Sequence, residues 1–505
     1  MTSIYHTPAR ALISDADTAA DTAVDNAPWD ADGDALHEEC GIFGVIGARS
    51  AASMAALGLH ALQHRGQEAV GITSFDGTEF FSYRGIGHVA HVFNNQDIFA
   101  DLPGMMASGH VRYSTTGGSG LRNIQPLFAD LADGGFSIAH NGNISNAMTL
   151  KRNLVQKGSI FQSTSDTEVI IHLVATSRYP TLLDRFVDAL RLVEGAYSLI
   201  CMTQHGMIAC RDPLGIRPLV MGRIGDAVVF ASETVALDVV GADFEREVEP
   251  GELVQVDHNG VISSHRPFGR QPARPCIFEQ VYFSRPDSIM GGQSVYQARR
   301  QIGVELAKEA PTAADIVVPV PDSGVPAAIG YAAQSGIPFE LGIIRSHYVG
   351  RTFIQPSDGK RHADVKRKHN ANRALVEGKR IVLIDDSIVR GTTSMKIVQM
   401  MRDAGAAEVH MRIASPPTEN SCFYGVDTPE RDKLLAARMD LAAMADYIQA
   451  DSLAFVSIDG LYRAVGEKGR KAKCPQFCDA CFTGEYPTRL TDYCAEHPTE
   501  LLGEI

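Results

Sequence analysis

Two carboxylates, Asp385 and Asp386, follow an apolar run from Ile381 to Ile384 and precede a loop of small and hydroxyl residues, Ser387 to Ser394, that contains Arg390 and Gly391. The order carries the chemistry. An apolar strand running into a polar loop at a helix N-terminus is how open α/β sheets present a ligand. The N–H groups of Gly391, Thr392, Thr393 and Ser394, with the dipole of a helix predicted from Met395 to Met401, would attract an anion. The paired acids suit sugar hydroxyls or a hard cation such as Mg²⁺. Acid pairs and Gly-Thr-Thr turns are each common on solvated surfaces, but not in this order at the end of an apolar strand. The combination describes a site for a phosphorylated sugar carrying magnesium.

A second centre gathers around Cys40, which lies where a polar leader meets the first strand-like run, just after Glu38 and Glu39. Alone, it would read as a buried strand thiol. Its company favours a nucleophile: His64 to Glu68, Gly109 to Thr115, His140 to Asn143, and Ser165 with Asp166 supply polar groups at predicted turns. Arg112 and Asp166 are what a zwitterionic amino acid needs at its α-carboxylate and α-amine, although Arg112 also fits a structural ion pair. The Asn141 side chain and the Gly142 backbone N–H suit a developing oxyanion.

These sites need scaffolds, and 505 residues are too many for one core. An ordinary globular balance, without an apolar run long enough to span a bilayer or a signal-peptide pattern, predicts a soluble cytoplasmic protein. The net charge of −14 is concentrated: residues 1–39 hold nine acids against one base, Arg10. Nothing suggests a nucleic-acid surface. From Cys40, short strands and glycine turns with helices over 51–64 and 166–177 predict an α+β sandwich. A Pro-rich joint, residues 266–275, precedes alternating strands (315–320, 339–344, 380–384, 408–414) and helices (327–335, 395–404), the pattern of a parallel sheet. The predicted organisation is a leader over 1–39, domains over 40–270 and 271–470, and a C-terminal segment over 471–505.

The Asp385–Ser394 segment resembles the phosphoribosyl-pyrophosphate (PRPP) signature of type I phosphoribosyltransferases, and Pro319–Gly324 resembles their pyrophosphate loop. The resemblance implies that Asp385, Asp386, Ser387, Arg390, Gly391, Thr392 and Thr393 bind PRPP, with Ser323, Asp385 and Asp386 around magnesium. Between them, Arg351 to Arg373 holds seven Lys/Arg and two acids, read as a lid over pyrophosphate. The residues around Cys40 resemble a class II glutamine amidotransferase domain of the N-terminal-nucleophile type, an αββα sandwich. This implies cleavage before Cys40, whose freed α-amine becomes the base, an oxyanion hole of Asn141 and Gly142, and glutamine held by Arg112 and Asp166.

The two halves together, from Cys40 to about Tyr486, resemble the amidophosphoribosyltransferases. That likeness implies purine synthesis, glutamine and PRPP as substrates, purine nucleotides as feedback inhibitors and a homotetramer, without nucleic-acid or membrane partners. An aminosugar synthase would share the first half but lack the Asp385–Ser394 signature. A non-catalytic PRPP-binding regulator would not need Cys40, Arg112 and Asp166.

Spacing alone leaves zinc, iron–sulfur or thiol redox chemistry open for Cys276, Cys422, Cys478 and Cys481. The resemblance implies a [4Fe–4S] cluster on these four. Cys474 reads either as a spare thiol or as a rival to Cys478. Cys201, Cys210 and Cys494 read as incidental.

Overall fold

The computed structural model describes residues 10–13, 37–38, 40–113, 121–346 and 369–493. The basic run from Arg351 to Lys368, Cys494 and most of the leader lie outside the described residues.

Alternation along the Cys40–Ile46 strand builds the first half. Phe43 and Val45 face the Ala51–Ala61 and Thr234–Val240 helices, packing with Val70, Val111 and Val229 of the same sheet. Ile42 and Ile46 point the other way, against Ala139, Ile200 and Met207 of a second sheet. That sheet's far face, including Ile138, Leu199 and Ile208, is covered by the Thr167–Thr176 and Leu182–Leu190 helices. An eight-stranded and a six-stranded sheet thus lie between helical layers, the αββα sandwich predicted from the sequence. Cys40–Ile46 sits near the middle of the first sheet, between Met106–Arg112 and Ala227–Ala231.

Several local expectations are corrected. The strand predicted over 136–139 runs from Gly134 to Ile144, so His140 to Asn143 lie in a ladder rather than a turn. His140, Asn141 and Gly142 pair with Leu199, Ser198 and Tyr197. Buried hydrogen bonding, not strand propensity, holds these polar residues there. Gly109 to Arg112 likewise belong to a strand. The sequence reading missed the helices Ala147–Gln156, Leu182–Leu190 and Thr234–Val240. Parts of the leader are ordered: Arg10–Ile13 pairs parallel with Phe80–Ile86, and His37–Glu38 pairs antiparallel with Val426–Asp427.

Beyond the joint, four parallel strands run in the order Ile316–Pro319, Arg380–Asp385, Glu408–Ile413, Ser452–Phe455. Val317, Val382 and Ile384 face the Val295–Glu309 and Val325–Ser335 helices. Ile381 and Leu383 face Thr392–Asp403 and Leu441–Ile448. Apolar residues on both faces are what a doubly covered parallel sheet demands. Residues 339–344 do not form a full strand of this sheet: Phe339 makes a single bridge to Val317, while Ile343–Arg345 pairs antiparallel with His369–Ala371. The helix predicted from Met395 starts three residues earlier, at Thr392.

The Val295–Glu309 and Val325–Ser335 helices touch backbone to backbone. A Cβ on Gly330 would stand 1.8 Å from the Arg300 carbonyl oxygen, and one on Gly303 1.9 Å from that of Ala327. Gly330→Ala should therefore destabilise the protein by about 1–3 kcal/mol despite alanine's better helix propensity. Thermal unfolding checks this; an unchanged or higher Tm would mean the crossing has room.

Candidate functional site

Cys40 and Arg112 are direct cross-strand partners, so their side chains leave the same face of the sheet. By alternation that face is the one carrying Ile42 and Ile46, towards the second sheet. Asn141 shares the alternation of Ala139 and faces the same layer from the opposite side. Ser232 ties the two sheets together: its hydroxyl oxygen accepts from the Ile42 N–H at 3.0 Å and from Asn141 Nδ2 at 3.2 Å. Gly142 has φ 144°, and a Cβ there would meet the Ala196 carbonyl oxygen at 2.1 Å. Asp166 caps the Thr167–Thr176 helix, with Oδ1 accepting from the Thr167 N–H and Oδ2 from the Ile144 N–H. His140 Nδ1 lies 3.7 Å from the same Oδ2.

The nearby histidines are poor bases. Burial and the Arg112 charge push His110 down to about 3, and its ring nitrogen bonds the His140 carbonyl. Burial likewise lowers His140, which contacts Thr167 Oγ1 at 3.0 Å.

In the second half, the Pro319–Gly324 loop and Asp385–Asp386 leave adjacent parallel strand ends, joined where the Val320 N–H donates to the Ile384 carbonyl at 2.8 Å. Burial raises the Asp386 carboxyl; hydrogen bonds from Ser323 and Ser387 and the Arg299 charge oppose that. Ser387 Oγ lies 2.6 Å from Asp386. Gly391 caps the Thr392–Asp403 helix, so Thr392 and Thr393 occupy its first turn, whose backbone N–H groups point out along the helix axis. Ser323, both carboxylates and a helix N-terminus therefore meet at one corner of the sheet. Two buried acids there suit a divalent cation.

Cys276, Cys422, Cys478 and Cys481 line one cavity, together with Ile216, Tyr424 and Val426. Cys276 and Cys478 pair through a parallel bridge, and the Cys481 carbonyl accepts from the N–H groups of Glu419 and Asn420. Exposed Cys474 does not line the cavity. Burial, then the charge of Glu279, pushes the Cys276 thiol up to about 12. Burial and neighbouring thiols raise Cys478 and Cys481 as well. Such a donor set is costly to ionise without a bound cation. Among the described residues no three His, Cys, Asp or Glu side chains converge tightly enough for a single metal ion.

Comparison with known proteins resolves the family. Residues 110–239 match a glutamine amidotransferase domain model, and residues 287–415 a phosphoribosyl transferase domain model. An amidophosphoribosyltransferase of Rhizobium etli is 59% identical over 466 residues, covering 91% of this chain and 94% of that protein. One from Bacillus subtilis is 49% identical, covering 90% and 95%. The chain belongs to the amidophosphoribosyltransferase family. A solved structure of the B. subtilis glutamine PRPP amidotransferase, complexed with ADP and GMP, superposes with TM-score 0.85 at 47% identity, covering 91% of this chain and all of that one. As an amidophosphoribosyltransferase, the enzyme hydrolyses glutamine and transfers the ammonia to PRPP. The products are 5-phosphoribosylamine, pyrophosphate and glutamate, in the first committed step of purine synthesis.

Sequence reading missed the charges that dock the two halves of this amidophosphoribosyltransferase. Arg65 and Glu233 from the glutaminase half form an ion pair in the interior. Arg65 also reaches Glu279 Oε2 at 2.8 Å, just beyond the joint. Arg217 Nη2 lies 3.3 Å from Glu279 Oε1. Burial alone would raise both carboxyls, but Arg65 holds each of them down, aided by His64 at Glu233 and by Arg217 at Glu279. The available signal was Glu279 itself, a charge set among Ile277, Phe278 and Val281.

Asp386→Asn should lower PRPP turnover by on the order of 10²-fold with either glutamine or ammonia as nitrogen donor, the scale of removing one electrostatic interaction from a transition state. Steady-state rates with both donors are the measurement. Normal rates with both would remove Asp386 from the site.

Proposed function

We propose that the mature enzyme begins at Cys40 and that its thiol is the glutaminase nucleophile. The reading rests on one observation above all: Cys40, Arg112 and Asn141 face the same layer at one end of the sandwich. The freed α-amine, with an ordinary pKa of about 7.7–8.0, takes the thiol proton. The Cys40 sulfur then adds to the glutamine amide carbon, and the resulting oxyanion accepts from Asn141 and the Gly142 N–H. Arg112 holds the α-carboxylate and Asp166 the α-ammonium. Collapse of the adduct, with a proton passed to the leaving nitrogen, expels ammonia and leaves a thioester, which water hydrolyses to glutamate. While Glu39 is attached, the Cys40 nitrogen is an amide and cannot act as base.

In the second half, Asp385 and Asp386 hold the ribose hydroxyls and, with Ser323, would hold Mg²⁺, whose charge would offset that of the pyrophosphate. The loop from Ser387 through Arg390, Gly391, Thr392 and Thr393 holds the 5-phosphate. Ammonia attacks C1 of the ribose as the C1–O bond to pyrophosphate breaks, and the new amine then loses a proton.

The four cavity cysteines would hold a [4Fe–4S] cluster, whose role here is structural. Domain limits at 39/40, 270/271 and 470/471 fit this division of labour. Purine-nucleotide inhibition is supported by the ADP and GMP in the B. subtilis relative. A homotetramer in the cytoplasm completes the proposal; no helix among the described residues is long and apolar enough to cross a membrane.

Cys40→Ala should abolish glutamine-dependent synthesis while leaving ammonia-dependent synthesis within about twofold of the parent, since the two chemistries occupy separate domains. N-terminal sequencing of active protein should begin at Cys40. A mature chain starting upstream, or parallel loss of both activities in folded Cys40→Ala, would overturn the assignment. Separately, Cys478→Ser should abolish bound iron and sulfide while Cys474→Ser leaves both intact. The opposite pattern would exchange their roles.

A further inference from the structure

The oxyanion-hole asparagine is held from behind. Asn141 is fully buried, and its side-chain oxygen accepts from Arg217 Nη2 at 3.2 Å. The same nitrogen forms an ion pair with Glu279 Oε1 at 3.3 Å. Arg217 and Glu279 are themselves fully buried. The Arg217 backbone is also pinned, because its N–H donates to Asp212 Oδ2 at 3.1 Å. The loop carrying it pairs with the joint, where the Arg274 and Cys276 N–H groups donate to the Leu214 and Ile216 carbonyls. Glu279 opens the Glu279–Phe283 helical segment on the transferase side of the joint.

A guanidinium only donates, so it can accept one orientation of an asparagine amide, with oxygen towards Arg217 and nitrogen away. Turned over, two NH₂ groups would face each other in a buried site, leaving donors on both sides unsatisfied. With oxygen on Arg217, Asn141 Nδ2 must point towards Ser232, the residue that also takes the Ile42 N–H two positions from Cys40. That is the side on which an oxyanion forms.

We propose that Arg217 is a positioning residue for the glutaminase reaction and that Glu279, contributed by the other half of the chain, positions Arg217. The pair fixes the Asn141 amide with its donor turned towards the nucleophile strand. The proposal rests on Asn141 being an oxyanion donor, and it implies that the glutaminase centre is oriented correctly only when docked on the transferase half.

The test uses full-length enzyme carrying Arg217→Lys or Glu279→Gln, with Asn141→Ala and the Asn141→Ala/Arg217→Lys double variant alongside. Glutamine-dependent kcat should fall by about 10²-fold in both single variants, near the 10²–10³-fold that losing an oxyanion donor costs. The KM for glutamine should stay within about twofold, because ground-state binding through Arg112 and Asp166 is untouched. Ammonia-dependent synthesis should persist. The double variant should be no slower than Asn141→Ala alone, since a residue that acts only through Asn141 has nothing left to position.

If Asn141→Ala itself leaves kcat unchanged, the oxyanion reading fails and takes the proposal with it. If Asn141→Ala is impaired while Arg217→Lys and Glu279→Gln keep the parent kcat, the proposal alone fails. Additive losses in the double variant, or loss of ammonia-dependent synthesis in both single variants, would show a general structural role and also overturn it.

Discussion

The docking of the two halves depends on a chain of charges taken out of water. Arg65, Glu233, Glu279 and Arg217 are all buried, and Arg65 alone bridges a carboxylate from each side of the joint. Ser284 and Ser288 supply hydroxyls to Glu279 and Glu233, and the Arg285 N–H donates to Glu233 at 2.8 Å. Burying four charges carries a large desolvation cost that mutual attraction and these hydrogen bonds offset. Removing one partner typically costs about 3–5 kcal/mol, because the charge left behind has no water to turn to. Apolar residues of equal volume could dock the halves as firmly. What the ionic chain adds is direction, since each charge accepts its neighbour in one geometry. The two domains therefore cannot slide without unpairing several groups at once.

That constraint reaches both reaction centres. Arg217 ends the chain at Asn141. At the other end, Arg299 donates to the Gln280 and Ser284 carbonyls, so it grips the segment that carries Glu279. Burial lowers the Arg299 guanidinium to about 10, and the Asp386 carboxylate is the first of the charges opposing that loss. The same short segment thus lies between Arg217, which bonds the Asn141 amide, and Arg299, whose charge faces the buried Asp386. The close approach at Gly303 and Gly330 fixes the helix bearing Arg299 against the helix that follows the Pro319–Gly324 loop.

How legible this was in the sequence follows from where the chemistry sits. The strand, carboxylate pair and helix N-terminus of the second half could be read in order along the chain, because these elements are consecutive and locally specified. Asp385 to Thr393 needed no distant partner to be recognised. The glutaminase centre could be read as a set of residues but not as a shape. His140 to Asn143 look like a turn by composition, and only the ladder to Leu199, Ser198 and Tyr197 makes them strand. The docking charges were opaque for a stronger reason. Arg65 and Glu279 are separated by 214 residues, and an isolated arginine in a sequence is usually solvated. Nothing local distinguishes a charge with a buried partner from one with water.

The cysteine cavity lies against the same joint, and this links it to the glutaminase. Asn143 Nδ2 donates to the Phe423 carbonyl at 3.0 Å, beside Cys422. Gly425 approaches so closely that a Cβ there would meet Gly142 Cα at 2.9 Å. Val426–Asp427, next along, pairs with His37–Glu38, the residues just before Glu39 and Cys40. The loop from Cys422 to Asp427 therefore touches the cysteine cavity, Gly142, Asn143 and His37–Glu38 of the leader within six positions. Burial raises the Cys276, Cys478 and Cys481 thiols, so protons compete for them, and any cation binding there must displace the protons. Cation binding is therefore favoured as pH rises. The backbone that carries Cys422 is thus the backbone that packs on Gly142 and pairs with His37–Glu38.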